Sequence, residues 1–215
     1  MTFTYELRKP AAPAEANPVV FLLHGMGSNE QDMLALGEEL SDRFYVFSLR
    51  GHLPHPPGYA YFTIEEFGKP HYEVFADAME RLTEFIEDSL NEHPIDPEHV
   101  YLAGFSQGAI ASLSLGLMHQ EQIRGVGALS CYLPAFMREH AAAHLSVYMA
   151  HGTADPVLPY AWGEEARHRL EQGGVGVQFT AFDGGHAVPA DIKQGFQQWI
   201  RAMVERGQQD AFKHT

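Results

Sequence analysis

The chain has 215 residues, 45% hydrophobic and 20% charged, with a formal net charge of −14. That balance describes an ordinary globular protein and excludes a disordered one. With 14 Lys and Arg against 28 Asp and Glu and no basic cluster, it argues against nucleic-acid binding and against strong attraction to an anionic membrane surface.

The length suits one domain over residues 1–206, with a polar tail at 207–215. Cys131 is the single cysteine, so no internal disulfide can form, which fits a reducing compartment. Met1 to Glu6 carry no basic segment leading into an apolar run, so no signal peptide is expected. No apolar stretch approaches the roughly 18 residues that mark a membrane span. A cytoplasmic protein with no membrane insertion is the expectation, and its oligomeric state is not legible.

Phe3, Tyr5 and Leu7 alternate with polar residues as in a half-exposed strand. An Ala- and Pro-rich connection over 9–18 leads to Pro18–Leu23, an apolar run short enough for a buried strand. It ends in the turn His24-Gly25-Met26-Gly27-Ser28-Asn29, followed by a helix over about 30–41 and a strand over Phe44–Leu49. Residues 50–72 show no clean period but interleave Pro and Gly with Tyr59, Tyr61, Phe62 and Phe67. They read as an ordered loop covering a pocket. A long amphipathic helix spans about 72–91.

The strand starting at His99 runs into Gly104-Phe105-Ser106-Gln107-Gly108 and then a helix to Leu117. Strands near 124–130, 145–150 and 175–182 follow. Partial helix over 134–144 and helices over 160–172 and 188–206 lie between and after them. Strands alternating with helices predict an α/β domain with a mostly parallel sheet and helices on both faces. The turns at 24–27, 104–108, 151–155 and 183–186 each follow a strand, so they gather on one edge of the sheet, where such folds bind ligands.

A Gly-x-Ser-x-Gly turn between strand and helix leaves Ser106 at a tight corner with its hydroxyl exposed and a helix N-terminus behind it. A serine hydroxyl needs a base within reach and a group that orients that base. His186 in Gly184-Gly185-His186 is the candidate base, and Asp155 in Gly152-Thr153-Ala154-Asp155-Pro156 the candidate orienter. Asp183 is the rival acid, three residues from His186. Ser106, Asp155, His186 is also the chain order of α/β-hydrolase triads. The oxyanion hole then falls to the backbone N–H groups of Gln107 and Met26. Tyr59, Tyr61, Phe62, Val157, Leu158 and Val188, with Met26, are candidates for an acyl pocket, with core packing an equal alternative for any one of them. His24 and His151, each before a glycine at a strand end, read as structural. Thirteen histidines contain no zinc-type spacing, so no metal site is expected.

The chain resembles the phospholipase/carboxylesterase family of α/β-hydrolases, relatives of acyl-protein thioesterases, over about residues 18–200. The resemblance rests on Leu22-Leu23-His24-Gly25-Met26-Gly27, Gly104-Phe105-Ser106-Gln107-Gly108-Ala109, His151 through Pro159, and Gly184-Gly185-His186. Leu49-Arg50-Gly51 with Gly58-Tyr59-Ala60-Tyr61-Phe62 also resembles the substrate loop of bacterial members. Cys131 departs from the pattern, since many relatives carry Gly there. The resemblance implies an α/β-hydrolase fold without a large lid domain. It also implies ester or thioester hydrolysis with no metal and no organic cofactor. The expected activity is a serine carboxylesterase acting on small to medium acyl or aromatic esters. The alternatives are an acyl-thioesterase, lysophospholipase or lactonase on the same scaffold, or a non-catalytic binding protein.

Overall fold

A computed structural model of the protein describes residues 3–137 and 144–213. Its elements in chain order are β1 (Tyr5–Arg8), β2 (Asn17–Leu23), α1 (Glu30–Gly37), β3 (Tyr45–Leu49), β4 (Leu53–His55), β5 (Gly58–Ala60), β6 (Ile64–Glu66), β7 (Lys69–Pro70), α2 (Tyr72–Glu92), β8 (Ile95–Phe105), α3 (Gln107–Met118), β9 (Gly125–Leu129), β10 (Ser146–Gly152), α4 (Tyr160–Gln172), β11 (Gly176–Phe182) and α5 (Ala190–Lys213).

Seven strands form one sheet in the order β1-β3-β2-β8-β9-β10-β11. Only β1, at the edge, runs antiparallel to its neighbour, and every other pairing is parallel. The apolar run of β2 is central, and the pleat sends its side chains alternately to two cores. Val19, Phe21 and Leu23 pack with residues of α2, α3 and α4, and Val20 and Leu22 with α1 and α5. On α2 the buried set Phe75, Ala78, Met79, Leu82, Phe85, Ile86 and Ser89 follows helical spacing, which is why this helix lies flat on the sheet. This is the α/β-hydrolase fold with helices on both faces and, among the described residues, no large lid. No described helix is long and apolar enough to cross a membrane.

The structure refines the sequence reading in four places. Residues 50–72, expected as an ordered loop covering a pocket, take their order from two small antiparallel hairpins, β4–β5 and β6–β7. The long strand begins at Ile95 rather than His99, because the Asn17–Ile95 pairing extends it past a register shift. Of the partial helix expected over 134–144, a single turn is described at Ala135–Met137, and residues 138–143 lie outside the described residues. The last helix, expected to stop at 206, continues to Lys213.

Candidate active site

Ser106 is the single residue between β8 and α3, and its backbone is held at φ 53°, ψ −116°. Positive φ is strained for a residue with a side chain and persists only where the surroundings enforce it. The enforcement is visible on both sides. The Ser106 N–H donates to the Leu129 carbonyl at 2.9 Å, and a Cβ on Gly104 would run into the backbone of Gly108. A Cβ on Gly108 would strike the Leu23 carbonyl, so α3 can start this close to β2 only with glycine there. Gln107 opens the helix, where an N–H has no intrahelical acceptor. Ser106 itself makes no side-chain cap, so its hydroxyl is not drawn back onto the helix.

The turn after β2 faces this corner. His24 is fully buried, and its Nε2 accepts the Gly51 N–H at 2.9 Å. That assigns the proton to Nδ1, which donates to the Gly25 carbonyl at 2.7 Å. The Ser28 N–H donates to the same carbonyl. In a trans peptide the N–H points opposite to the C=O, so two donors on the Gly25 oxygen fix the direction of the Met26 N–H. That N–H has no backbone acceptor among the described residues. Burial lowers the pKa of the His24 imidazole, against the opposing hydrogen bond to Gly25, and favours this neutral tautomer.

Asp155 and His186 meet from the loops after β10 and β11. The His186 Nδ1–H donates to Asp155 Oδ2 at 2.7 Å, and Oδ1 accepts the N–H groups of Val157 and Leu158 at 2.8 and 2.9 Å. The Asp155 side chain is 0% exposed. Burial raises its pKa, but the His186 bond and the two backbone bonds outweigh it and hold the carboxyl below its ordinary value. Asp183, the rival acid, is exposed, and the imidazole bond goes to Asp155. The His186 ring packs 4.7 Å from the ring of Phe105, the residue before Ser106, and His186 and Ser106 line one cleft. Their Nε2 and Oγ atoms are not hydrogen-bonded to each other at rest. Such contacts commonly tighten only around a substrate.

Two cavities meet at Ser106. The larger, about 570 Å³, is walled by Met33 and Leu36 of α1, with Val157, His186 and Val188, and carries Asp32 and Lys193 at its polar end. The smaller, about 40 Å³, is an apolar chamber bounded by Phe62, Ile64, Ile110, Tyr132 and Leu158. Met26 lines both, and Gln107 lines the chamber. Phe67, at the tip of the β6–β7 hairpin, stands between them and also borders a side pocket of about 220 Å³ against Trp162. The hairpin tip is seated at Gly68, where a Cβ would come within 3.3 Å of the Trp162 ring.

The sequence-derived pocket set therefore divides. Val157 and Val188 line the cleft, and Phe62 and Leu158 line the chamber. Tyr59 and Tyr61 line neither. Tyr61 is fully buried, with its hydroxyl donating to the Leu49 carbonyl, and Tyr59 lies under the Arg50 guanidinium, which is itself paired with buried Glu30. Their alternation with small residues in the chain gives no sign of which face they take. Three contributions escaped the sequence reading. The Gln107 side chain clamps the Tyr61–Phe62 backbone, accepting the Tyr61 N–H at 2.8 Å and donating to the Phe62 carbonyl at 2.7 Å. Met33 and Leu36 turn the apolar side of α1 to the cleft, which the stripe on that helix could have suggested. Phe67 sat in a segment with no period to place it. Cys131 is buried, and burial pushes its thiol pKa up to about 12, so it stays protonated.

A parallel α/β sheet with a strained serine corner, a histidine–aspartate pair beside it and two open backbone donors defines a serine hydrolase of the α/β-hydrolase class. The chain belongs to the phospholipase/carboxylesterase family, whose pattern it matches over residues 8–204. It is similar to acyl-protein thioesterase 1 of Candida albicans, 27% identical over 93% of this chain and 98% of that protein. Its structure is similar to that of the Bacillus cereus carboxylesterase, with a TM-score of 0.84 and 25% identity over 94% of each chain. A Mesorhizobium loti carboxylesterase shares the fold, with a TM-score of 0.83 and 20% identity over 93% of this chain and 94% of the other.

Proposed function

We propose that the protein is a serine esterase that transfers an acyl group to Ser106 and then to water. Ser106 Oγ attacks the ester or thioester carbonyl while His186 Nε2 takes its proton, and Asp155 holds the resulting imidazolium. The N–H groups of Met26 and Gln107 bind the oxyanion. His186 then returns the proton to the departing alcohol or thiol, leaving acyl-Ser106. Water, deprotonated by His186, attacks that acyl group, releases the acid and restores the hydroxyl.

The observation that carries the reading is the 2.7 Å bond from His186 to Asp155 beside a serine held at positive φ. Substrate placement follows from the proton path. The leaving group must lie on the side of His186, which lines the cleft and not the chamber. The acyl group is then left with the chamber of about 40 Å³. A space of that size admits only a short acyl group. A short acyl group on a larger, mainly apolar alcohol or thiol fits best. Thioester hydrolysis is a second reading supported by the names of the relatives. Both use the same acyl-serine.

Labelling with a fluorophosphonate tests the nucleophile. Wild-type protein should label and Ser106→Ala should not; equal labelling of the two would remove the assignment. Rates on p-nitrophenyl acetate, butyrate and octanoate, beside the matching acyl thioesters, then test the acyl limit. A steady rise through octanoate would place the acyl chain in the cleft instead.

A further inference from the structure

His151 is the last residue but one of β10, and its side chain is 1% exposed. Its Nε2 lies 2.9 Å from the Leu158 carbonyl, which can only accept, so Nε2 carries the proton. Leu158 is the residue whose own N–H holds Asp155 Oδ1. The same Nε2 lies 3.5 Å from Asp155 Oδ2, the oxygen that receives His186. The other nitrogen, Nδ1, is buried with no hydrogen-bond partner. On α4 a Cβ at Gly163 would collide with that nitrogen, so the helix leaves a space the shape of this ring. A leucine would fill the space without stranding a polar atom, and stranding one costs about 1–3 kcal/mol. A residue that carries such a cost while touching a buried carboxylate is placed by something other than packing.

We propose that His151 is a positioning residue for Asp155: its Nε2–H pins the 155–158 turn to β10 and sets the positive end of that N–H dipole 3.5 Å from the carboxylate oxygen that orients His186. The role rests on reading Asp155 and His186 as orienter and base. Asp155 is enclosed, so its negative charge depends on the donors around it. Two are backbone N–H groups at Oδ1 and one is the His186 Nδ1–H at Oδ2, while the His151 Nε2–H, bonded to the Leu158 carbonyl, lies 3.5 Å from that same oxygen. The titratable groups facing His151 are Asp155 from the loop and Tyr160 from α4, whose ring lies edge-on with centroids 6.0 Å apart and has Glu164 beyond it. Those facing Asp155 are His186 and His151. Without the Nε2–H, the carboxylate leans harder on His186. The imidazolium then keeps its proton to higher pH, and the turn loses the tie that fixes its distance from Ser106.

The test compares His151→Leu with His151→Gln, whose amide can supply an N–H near the Nε2 position. His151→Leu should lower kcat about 10–100-fold with KM little changed, as expected for slight misplacement of a catalytic group. It should also move the acid limb of the kcat/KM profile to higher pH. His151→Gln should restore most of both. A folded His151→Leu with wild-type kcat and an unmoved limb overturns the role. So does a loss of kcat with an unmoved limb and no rescue by His151→Gln, which marks His151 as packing alone. If His151→Leu does not fold, Gly163→Ala takes its place, since it pushes the ring without removing it. A limb moved upward supports the role and an unmoved limb overturns it. Fluorophosphonate labelling of wild type and Ser106→Ala runs alongside. Its failure would sink the triad, whereas normal labelling with an unmoved limb sinks only the part assigned to His151.

Discussion

Gln107 grips Phe62 across 45 residues of chain: the side-chain N–H of one donates to the carbonyl of the other at 2.7 Å, while the Tyr61 N–H returns to the same side chain. One residue thus has two tasks. Its backbone N–H opens α3 behind Ser106, and its side chain fixes the strip that walls the chamber.

The two tasks separate by substitution. Gln107→Ala keeps the backbone donor and strands the buried Tyr61 N–H and Phe62 carbonyl, at about 1–3 kcal/mol for an unsatisfied buried group. The expected result is a lower melting temperature, a raised KM for short acyl esters and a weaker preference between acetyl and butyryl substrates. Fluorophosphonate labelling should persist. Complete loss of labelling in a folded variant would mean that the side chain acts on the nucleophile itself.

The serine corner predicts a steric ranking. Gly108→Ala drives a Cβ into the Leu23 carbonyl, and backbone cannot yield as a side chain can. Overpacking of this kind costs about 1–3 kcal/mol or more. Gly176→Ala, whose nearest neighbour would be Ser146 Oγ at 4.0 Å, should melt within about 0.5 kcal/mol of wild type, like other unconstrained surface changes. Thermal melts of the two variants check the ranking, and Gly108→Ala should also lose probe labelling.

The acid assignment is checked by Asp155→Asn against Asp183→Asn. Replacing the orienting carboxylate leaves the imidazole in the wrong tautomer and lowers kcat by about 10⁴ in a triad of this kind. Asp183 is exposed and accepts no bond from His186, so Asp183→Asn should keep near wild-type kcat. The reverse ranking would transfer the role to Asp183.

Chain order and strand-end turns were legible in the sequence because they follow from short local signals. Glycine around Ser106, a proline after Asp155 and a glycine pair before His186 mark turns, and alternation of strand and helix puts those turns on one edge. The lining of the site was less legible. Tyr61 and Phe62 are neighbouring aromatics in a bend after β5, yet one braces Leu49 and the other walls the chamber, because irregular backbone has no period from which the inward direction could be read. The hairpins at 53–60 and 64–70 are too short to show a period. His151 and Gln107 act through contacts made only after distant segments have met, so their spacing carried no sign of it.

With the acyl group placed in the chamber as proposed, Phe67 is the residue expected to limit its length. Its ring is 59% exposed and borders cleft, chamber and side pocket at once. Phe67→Ala should join the chamber of about 40 Å³ to the side pocket of about 220 Å³. Each added methylene that enters an apolar site is worth about 0.8 kcal/mol. Activity on octanoyl esters should therefore rise relative to acetyl esters. An unchanged chain-length profile would show that the hairpin tip does not bound the acyl site.

Stability should fall as pH drops below neutrality, and His24 gives the sign. Burial lowers its folded pKa from the ordinary value of 6.5. Below 6.5 the unfolded chain takes up a proton that the folded one resists, so unfolding is favoured progressively until the folded pKa is reached. The stabilisation is complete above 6.5 and is lost as pH falls through that window. His52, also lowered by burial and then by Arg81, adds in the same direction. Melting temperatures between pH 8 and pH 5 should decline, with most of the change below about 6.5, where an unperturbed histidine titrates. His52→Gln should flatten part of that decline and leave kcat near wild type, since His52 lies outside the cleft. His24→Gln should flatten more of it but also lower kcat, because the Nδ1–H that fixes the Gly25 carbonyl goes with the ring. A His24→Gln variant whose melting temperature keeps the full wild-type slope would show that His24 takes up its proton as readily in the folded protein as in the unfolded chain, and would remove the part that burial plays in holding the imidazole neutral.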